Sequence, residues 1–164
     1  MHHEPSPDEW RAWLRRCGPR FHLYARQQTR TESDAEDVLQ DALVESWKRI
    51  GEMPPDALVF ATIRRRAIDL ARSSDRRGVR EEEAGAPDAE WFLPDVEERE
   101  TQRLLEDAVK SLQPIYREVV TLKIWGGLTF QEIAETTGVP LNTAASRYRY
   151  ALDGLRETLK GVVL

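Results

Sequence analysis

The chain has 164 residues, of which 40% are hydrophobic and 32% charged, a size and composition suited to one ordinary domain or two small helical ones with modest cores. No apolar run approaches the roughly 20 residues of a membrane span. The N-terminal MHHEPSPDEW lacks the basic-then-apolar layout of a secretion signal, and Cys17, the only cysteine, excludes an internal disulfide and a cysteine-rich zinc site. The net charge of −5 argues, taken alone, against nucleic acid, and the expectation from these totals is a cytoplasmic protein without membrane insertion, monomeric when free.

Helical signals run the length of the chain. A first helix or helix pair is expected over 10–28, broken near Gly18-Pro19, since proline removes an intrahelical hydrogen bond. Next, Ala35, Val38, Leu39, Ala42, Leu43, Trp47 and Ile50 form the i, i+3, i+4 stripe of an amphipathic helix. Ser33 with Glu36 predicts a capping box at its start, and Gly51 with Pro54-Pro55 ends it. A third helix over 56–74 turns Phe60, Ile63, Ala67, Leu70 and Ala71 inward and carries arginines on its exposed face. Charge is segregated here. Arg64, Arg65, Arg66, Arg72, Arg76, Arg77 and Arg80 stand against Asp69 and Asp75, and an acidic stretch from Glu81 to Glu100 follows directly. Salt screens charges beyond roughly 8–10 Å, so this separation matters more than the net total. Residues 78–95 mix glycine, proline and acids without helical periodicity and are expected to be an acidic linker. Within it, Trp91-Phe92-Leu93 is an apolar island expected to pack on a neighbouring domain.

The C-terminal part opens with a helix over 96–112. Pro114 then suits the first turn of a helix whose apolar face is Ile115, Val119, Val120, Leu122, Ile124 and Trp125, stopped by Gly126-Gly127. Thr129 with Glu132 forms a second capping box, opening a short helix to about Thr137. Gly138 makes a turn, Pro140 guides the chain, and Asn142 is expected to cap a last helix reaching about Lys160. With no strand pattern, the expected fold class is all-α: two small helical domains, 1–77 and 96–164, joined by the linker.

The segment 129–152, TFQEIAETTGVPLNTAASRYRYAL, has the layout of a helix-turn-helix. Ile133 and Ala134 face inward, Gly138 supplies the positive φ of the turn, and Val139 fills the angle between the helices. The second helix presents Asn142, Thr143, Ser146, Arg147, Arg149 and Tyr150 along the half that enters a major groove, where side chains reach base edges and phosphates. This pattern indicates DNA binding and says nothing of a larger assembly.

Two further motif sets in a fixed order are more specific. LQPIYREVVTLKIWGGLTFQEIAETTGVPLNTAASRYRYALDGLRETL resembles the domain of sigma factors that reads the −35 promoter element. SDAEDVLQDALVESWKRI resembles the polymerase-binding helix of the same family, FATIRRRAIDLARSSDRR the helix that melts and reads the −10 element, and GPRFHLYARQQT the opening helix of that domain. The absence of a further domain between the two sets points to the extracytoplasmic-function group. The resemblance implies that residues 1–77 correspond to sigma region 2 and residues 96–164 to region 4. It also implies that Asp34, Glu36, Asp37, Gln40 and Asp41 meet a coiled coil of core RNA polymerase, while Trp47 is expected to pack in the core. Arg64, Arg65, Arg66, Arg72, Arg76 and Arg77 would hold the opened −10 strand. Arg147 and Arg149 would grip phosphates or bases of promoter DNA, with Asn142, Thr143, Ser146 and Tyr150 beside them. The acidic linker would thread through polymerase channels, and an anti-sigma factor is a further partner the family admits.

The chain departs from the family pattern in two places. Arg65 occupies the position of the asparagine in the family's ARNLAID-like sequence, and in the recognition helix Ala145 and Tyr150 stand where lysine or another polar residue and arginine are common. No cofactor, metal or enzymatic activity is expected, because His2, His3 and His22 lack ligand spacing and no phosphate loop or nucleophile motif is present. A stand-alone helix-turn-helix regulator and a sigma-like interaction module without promoter binding remain as alternatives at this level.

Overall fold

The computed structural model describes residues 4–76 and 99–160. The linker expected over 78–95, its Trp91-Phe92-Leu93 island and Arg77 lie outside the described residues. Those described hold seven α-helices and no strand, as expected of an all-α fold: α1 (Pro7–Gln28), α2 (Glu32–Ile50), α3 (Asp56–Arg76), α4 (Arg99–Ser111), α5 (Pro114–Ile124), α6 (Phe130–Thr137) and α7 (Leu141–Leu159). They divide into two compact units, α1–α3 and α4–α7.

In the first unit, Ser6 and Glu9 form a capping box at the start of α1, each side chain taking the other's backbone N–H at 3.2 Å. The expected break at Gly18-Pro19 does not occur, and Pro19 lies inside one continuous helix. A proline in a helix interior costs about 3 kcal/mol. Trp13, Cys17, Phe21 and Tyr24 are all buried, on one face that spans the proline. Burying each large side chain stabilises by about 1.5–3 kcal/mol, which outweighs the local cost.

α2 begins earlier than its expected Ser33–Glu36 box. Thr31 is the N-cap and its hydroxyl accepts from the Asp34 amide at 3.0 Å. The reason is tertiary: Glu32, in the first turn, pairs with buried Arg26 at 3.0 Å and with His22 at 2.6 Å, both on α1. The left-handed Gly51 ends α2 as expected.

Aromatic rings join α1 to α3. Trp13 contacts Phe21 at 5.5 Å, and Phe60 of α3 receives Phe21 at 4.9 Å and Tyr24 at 5.5 Å, edge to face. Phe60, Ile63 and Ala67 are buried as expected, but Leu70 is half-buried and Ala71 exposed. None of residues 68–74 is buried, so this part of α3 runs past the core. Arg20 reaches Asp56 at 2.9 Å and Cys17 Sγ at 3.1 Å, tying α1 to the start of α3. Burial opposes the Arg20 charge, yet its contacts with Cys17 and Asp56 prevail and hold the guanidinium above its ordinary value.

In the second unit, Pro114 takes the first position of α5 as expected. The core is Ala108, Val109, Val120, Ala151 and Leu155, packed round by Leu105, Leu112, Tyr116, Trp125, Tyr148 and Leu152. Val119 and Leu122 are also buried, whereas Ile115 and Ile124, expected on the apolar face, are exposed. They occupy the first and last turns of an 11-residue helix whose buried residues are its central run, 118–122. Partial burial of Arg117 lowers its pKa from the ordinary value.

Candidate nucleic-acid and partner interfaces

The helix-turn-helix is built as its residues require. Thr129 accepts from the Glu132 amide at 3.1 Å, and the Glu132 carboxylate takes the Thr129 N–H at 2.9 Å. Gly138, at φ 73°, closes α6 in the left-handed region, and the N–H groups of Gly138 and Val139 both bond the Ala134 carbonyl, at 2.9 and 3.1 Å. Ile133 and Ala134 are buried, and the Thr137 hydroxyl donates back to the Ile133 carbonyl at 2.8 Å. Phe130 meets Tyr148 of α7 edge-on at 5.4 Å, with the Lys123 ammonium over its ring at 4.5 Å. These contacts fix the angle between α6 and α7.

α7 does not start with an Asn142 cap. Pro140 is the N-cap, its carbonyl accepting from the Ala144 amide at 3.0 Å, and no side chain caps the helix. Proline already holds the extended backbone an N-cap needs, so the helix begins at Leu141 and Asn142 lies inside the first turn. Asn142 is exposed there, and the first turn carries no acidic residue, so the positive end of the helix dipole is not neutralised from within.

Ala144, Ala151 and Leu155 bury one face of α7. On the other, Asn142, Thr143, Ser146, Arg147 and Tyr150 line a single open groove of about 260 Å³. Arg149 is not among its lining residues; its guanidinium carbon sits 5.8 Å from the Tyr150 ring, at the edge of the same face. Two residues not singled out from the sequence complete the groove: Ile115 and Tyr116 from α5, with Tyr116 edge-on to Tyr150 at 6.2 Å. Ile115 was visible only as one member of an apolar stripe, and periodicity does not tell an exposed stripe end from a core position.

In the first unit, Glu36, Asp37, Gln40 and Asp41 are exposed along α2 and Asp34 is half-buried in its first turn. Among the described residues none of these carboxylates is ion-paired. Trp47 is only half-buried, edge-on to Trp10 at 5.1 Å, rather than a core residue.

The arginines of α3 are not equivalent. Arg65, Asp69 and Arg72 are exposed at i, i+4 and i+7, and Arg64 and Arg66 are half-buried. Arg66 Nη2 donates to Glu45 of α2 at 3.0 Å, and Arg65 pairs with the other oxygen of the same carboxylate. Arg76 is the last residue of α3. Among the described residues no cluster of His, Cys, Asp and Glu could hold a metal ion, and no helix is long and apolar enough to cross a membrane.

Comparison with known proteins covers both units. Residues 13–77 match the family model for Sigma-70 region 2, and residues 102–153 that for Sigma-70, region 4. The ECF RNA polymerase sigma factor RpoE of Cereibacter sphaeroides is 34% identical over 131 residues, spanning 76% of this chain and 72% of the relative. The ECF RNA polymerase sigma factor SigL of Mycobacterium tuberculosis is 33% identical over 145 residues, spanning 84% of this chain and 81% of the relative. Among solved structures, the sigma factor RpoE from Bartonella quintana, crystallised with the anti-sigma factor NepR, superposes with a TM-score of 0.66 at 22% identity, over 95% of this chain and 99% of that one. That likeness establishes a shared fold.

Proposed function

This chain belongs to the sigma-70 family as an extracytoplasmic-function sigma factor, a non-enzymatic protein that directs RNA polymerase to initiate transcription, and on that premise we propose which of its surfaces performs each step. Residues 1–77 bind core RNA polymerase and open the −10 element, residues 96–164 read the −35 element, and residues 78–95 join them. The protein acts in the cytoplasm.

The observation that carries this assignment is the groove on α7. Five polar or aromatic side chains, Asn142, Thr143, Ser146, Arg147 and Tyr150, converge on one exposed face at a helix start without a side-chain cap. Such a face enters the major groove with its first turns near base edges and phosphate. Arg147 supplies a phosphate or guanine contact, Asn142, Thr143 and Ser146 the short polar contacts, and Arg149 a backbone contact at the rim. Ala145 adds no polar group, so the −35 preference rests on its neighbours.

At the −10 element, the α3 arginines Arg64, Arg65, Arg66, Arg72 and Arg76, together with Arg77 that follows in the sequence, hold the non-template strand as it opens, by backbone charge and by stacking on unpaired bases. Arg65 stands at the family's asparagine position and gives this base-reading edge a cation instead of an amide. The carboxylates of Asp34, Glu36, Asp37 and Asp41, with Gln40, meet a basic coiled coil on core polymerase, which fits a face left without ion pairs. The Bartonella quintana relative was solved with an anti-sigma factor, and we extend that class of partner to this chain.

Run-off transcription on genomic fragments with core bacterial RNA polymerase, with and without the protein, tests the assignment. Discrete start sites that arise only with the protein are expected. Core binding without promoter-specific transcripts would favour a sigma-like interaction module, and absence of core binding would favour a stand-alone DNA-binding regulator.

A further inference from the structure

The acidic face of α2 does not end at Asp41. Val44 follows Asp37 by seven residues, Gln40 by four and Asp41 by three, so it continues the same face one turn on. It is 48% exposed. Beside it lies a groove of about 720 Å³ between the segment leading into α1 and the C-terminal half of α2, lined by residues 4–7 and Trp10 on one side and by Leu43, Val44 and Trp47 on the other, apolar but for Glu4 and Ser6. Its walls are packed on neighbouring side chains. Trp10 stacks on buried Trp13 at 5.1 Å and meets Trp47 edge-on at 5.1 Å, and the Ser6–Glu9 capping box anchors the entering chain.

We infer that this groove is the apolar end of the polymerase-docking face, and that residues 4–10 form its second wall. The inference rests on the proposed role of α2 and extends it to a part of the chain the motif match does not include. Its occupant is a helical segment of core polymerase. Charge complementarity defines that segment: basic side chains opposite Asp37 and Asp41, then an apolar side chain about 5–10 Å along its axis, at the one- or two-turn spacing that separates these acids from Val44. Carboxylates alone give attraction and orientation, while an apolar anchor in a preformed pocket supplies most of the residence time.

The test titrates labelled full-length protein with core polymerase and compares wild type with Val44→Asp, Val44→Leu and the double variant Asp37→Asn/Asp41→Asn. Val44 is on the surface, so these changes leave the thermal melt near that of wild type, which is checked in parallel. Val44→Asp is expected to weaken core binding by about tenfold or more, by placing an unpaired charge in an apolar contact. Val44→Leu is expected to stay within about twofold, because it keeps an apolar side chain at the contact. The double variant is expected to weaken binding and flatten its salt dependence. If Val44→Asp binds like wild type while the double variant does not, the groove inference falls and the acidic face stands. If neither affects binding, the role proposed for α2 fails with it. If Val44→Asp instead abolishes a self-association of the wild type seen by sedimentation, the groove is a contact between copies of this chain and the inference is overturned.

Discussion

Glu45 on α2 accepts a hydrogen bond from Arg66 on α3 at 3.0 Å while its other carboxylate oxygen pairs with Arg65. One acid therefore restrains two of the arginines assigned to the opened −10 strand. The three side chains are between 31% and 49% exposed, so each pair contributes about 0.2–1 kcal/mol and a phosphate can compete for it. Glu45→Gln is expected to leave the melting temperature nearly unchanged, tighten non-specific binding of a single-stranded oligonucleotide several-fold, and steepen its salt dependence. Fluorescence anisotropy across a salt series measures the last two quantities, and a thermal melt gives the first. Unchanged affinity and slope would remove Arg65 and Arg66 from the strand-binding surface.

Arg147 and Arg149 separate by position. Arg147 lines the α7 groove, whereas Arg149 lies at its edge over the Tyr150 ring. Arg147→Ala is expected to weaken holoenzyme binding to promoter DNA and lower the slope of log K against log salt by about 0.9, the value of one phosphate contact. Arg149→Ala is expected to have the smaller effect on affinity. If the two variants were indistinguishable, or if Arg149→Ala were the worse, the groove would not be the side of α7 that faces DNA.

Two glycines in the second unit predict opposite mechanisms of damage. At Gly138 an added Cβ would meet nothing within 4 Å, and the only obstacle is its φ of 73°. Gly138→Ala is therefore expected to cost about 1–2 kcal/mol, the penalty of a left-handed L-residue. At Gly126 an added Cβ would lie 2.5 Å from the Leu122 carbonyl oxygen. That contact is with backbone, which side-chain rotation cannot relieve, so Gly126→Ala is expected to lower the thermal midpoint further than Gly138→Ala. The reverse order would place Gly126 in a looser turn than the one described.

The parts of this fold visible in the sequence are those decided by neighbours in the chain. The Thr129–Glu132 box, Gly138, Gly51 and Pro114 act through groups within a few residues, and each takes the role its type predicts. The misplaced features were decided from elsewhere. α1 passes Pro19 because Phe21 and Tyr24 pack on Phe60 of another helix. The cap expected of Asn142 is the exception, displaced locally by the backbone of Pro140 two residues before it, which leaves the side chain exposed in the groove. Ile115 and Tyr116 join that groove only because α5 is set beside α7, a relation no local pattern carries. The pairing of Glu45 with Arg65 and Arg66 likewise spans 20 and 21 residues.

The start of α2 turns this distinction into a measurement. Sequence pattern favours Ser33 as the cap, since Glu36 stands three residues on, but the structure gives the role to Thr31, whose hydroxyl receives the Asp34 N–H at 3.0 Å. Ser33 is exposed inside the first turn, where alanine is the better helix former. Thr31→Ala is expected to destabilise the protein by about 1 kcal/mol, the usual worth of an N-cap hydroxyl. Ser33→Ala is expected to be neutral or to stabilise by a few tenths of a kcal/mol. Denaturant unfolding of the two variants decides between the caps. A large loss at Ser33 with none at Thr31 would mean that the ion pairs of Glu32 with Arg26 and His22 do not hold the first turn of α2 in solution, and that the helix starts where its local sequence alone would begin it.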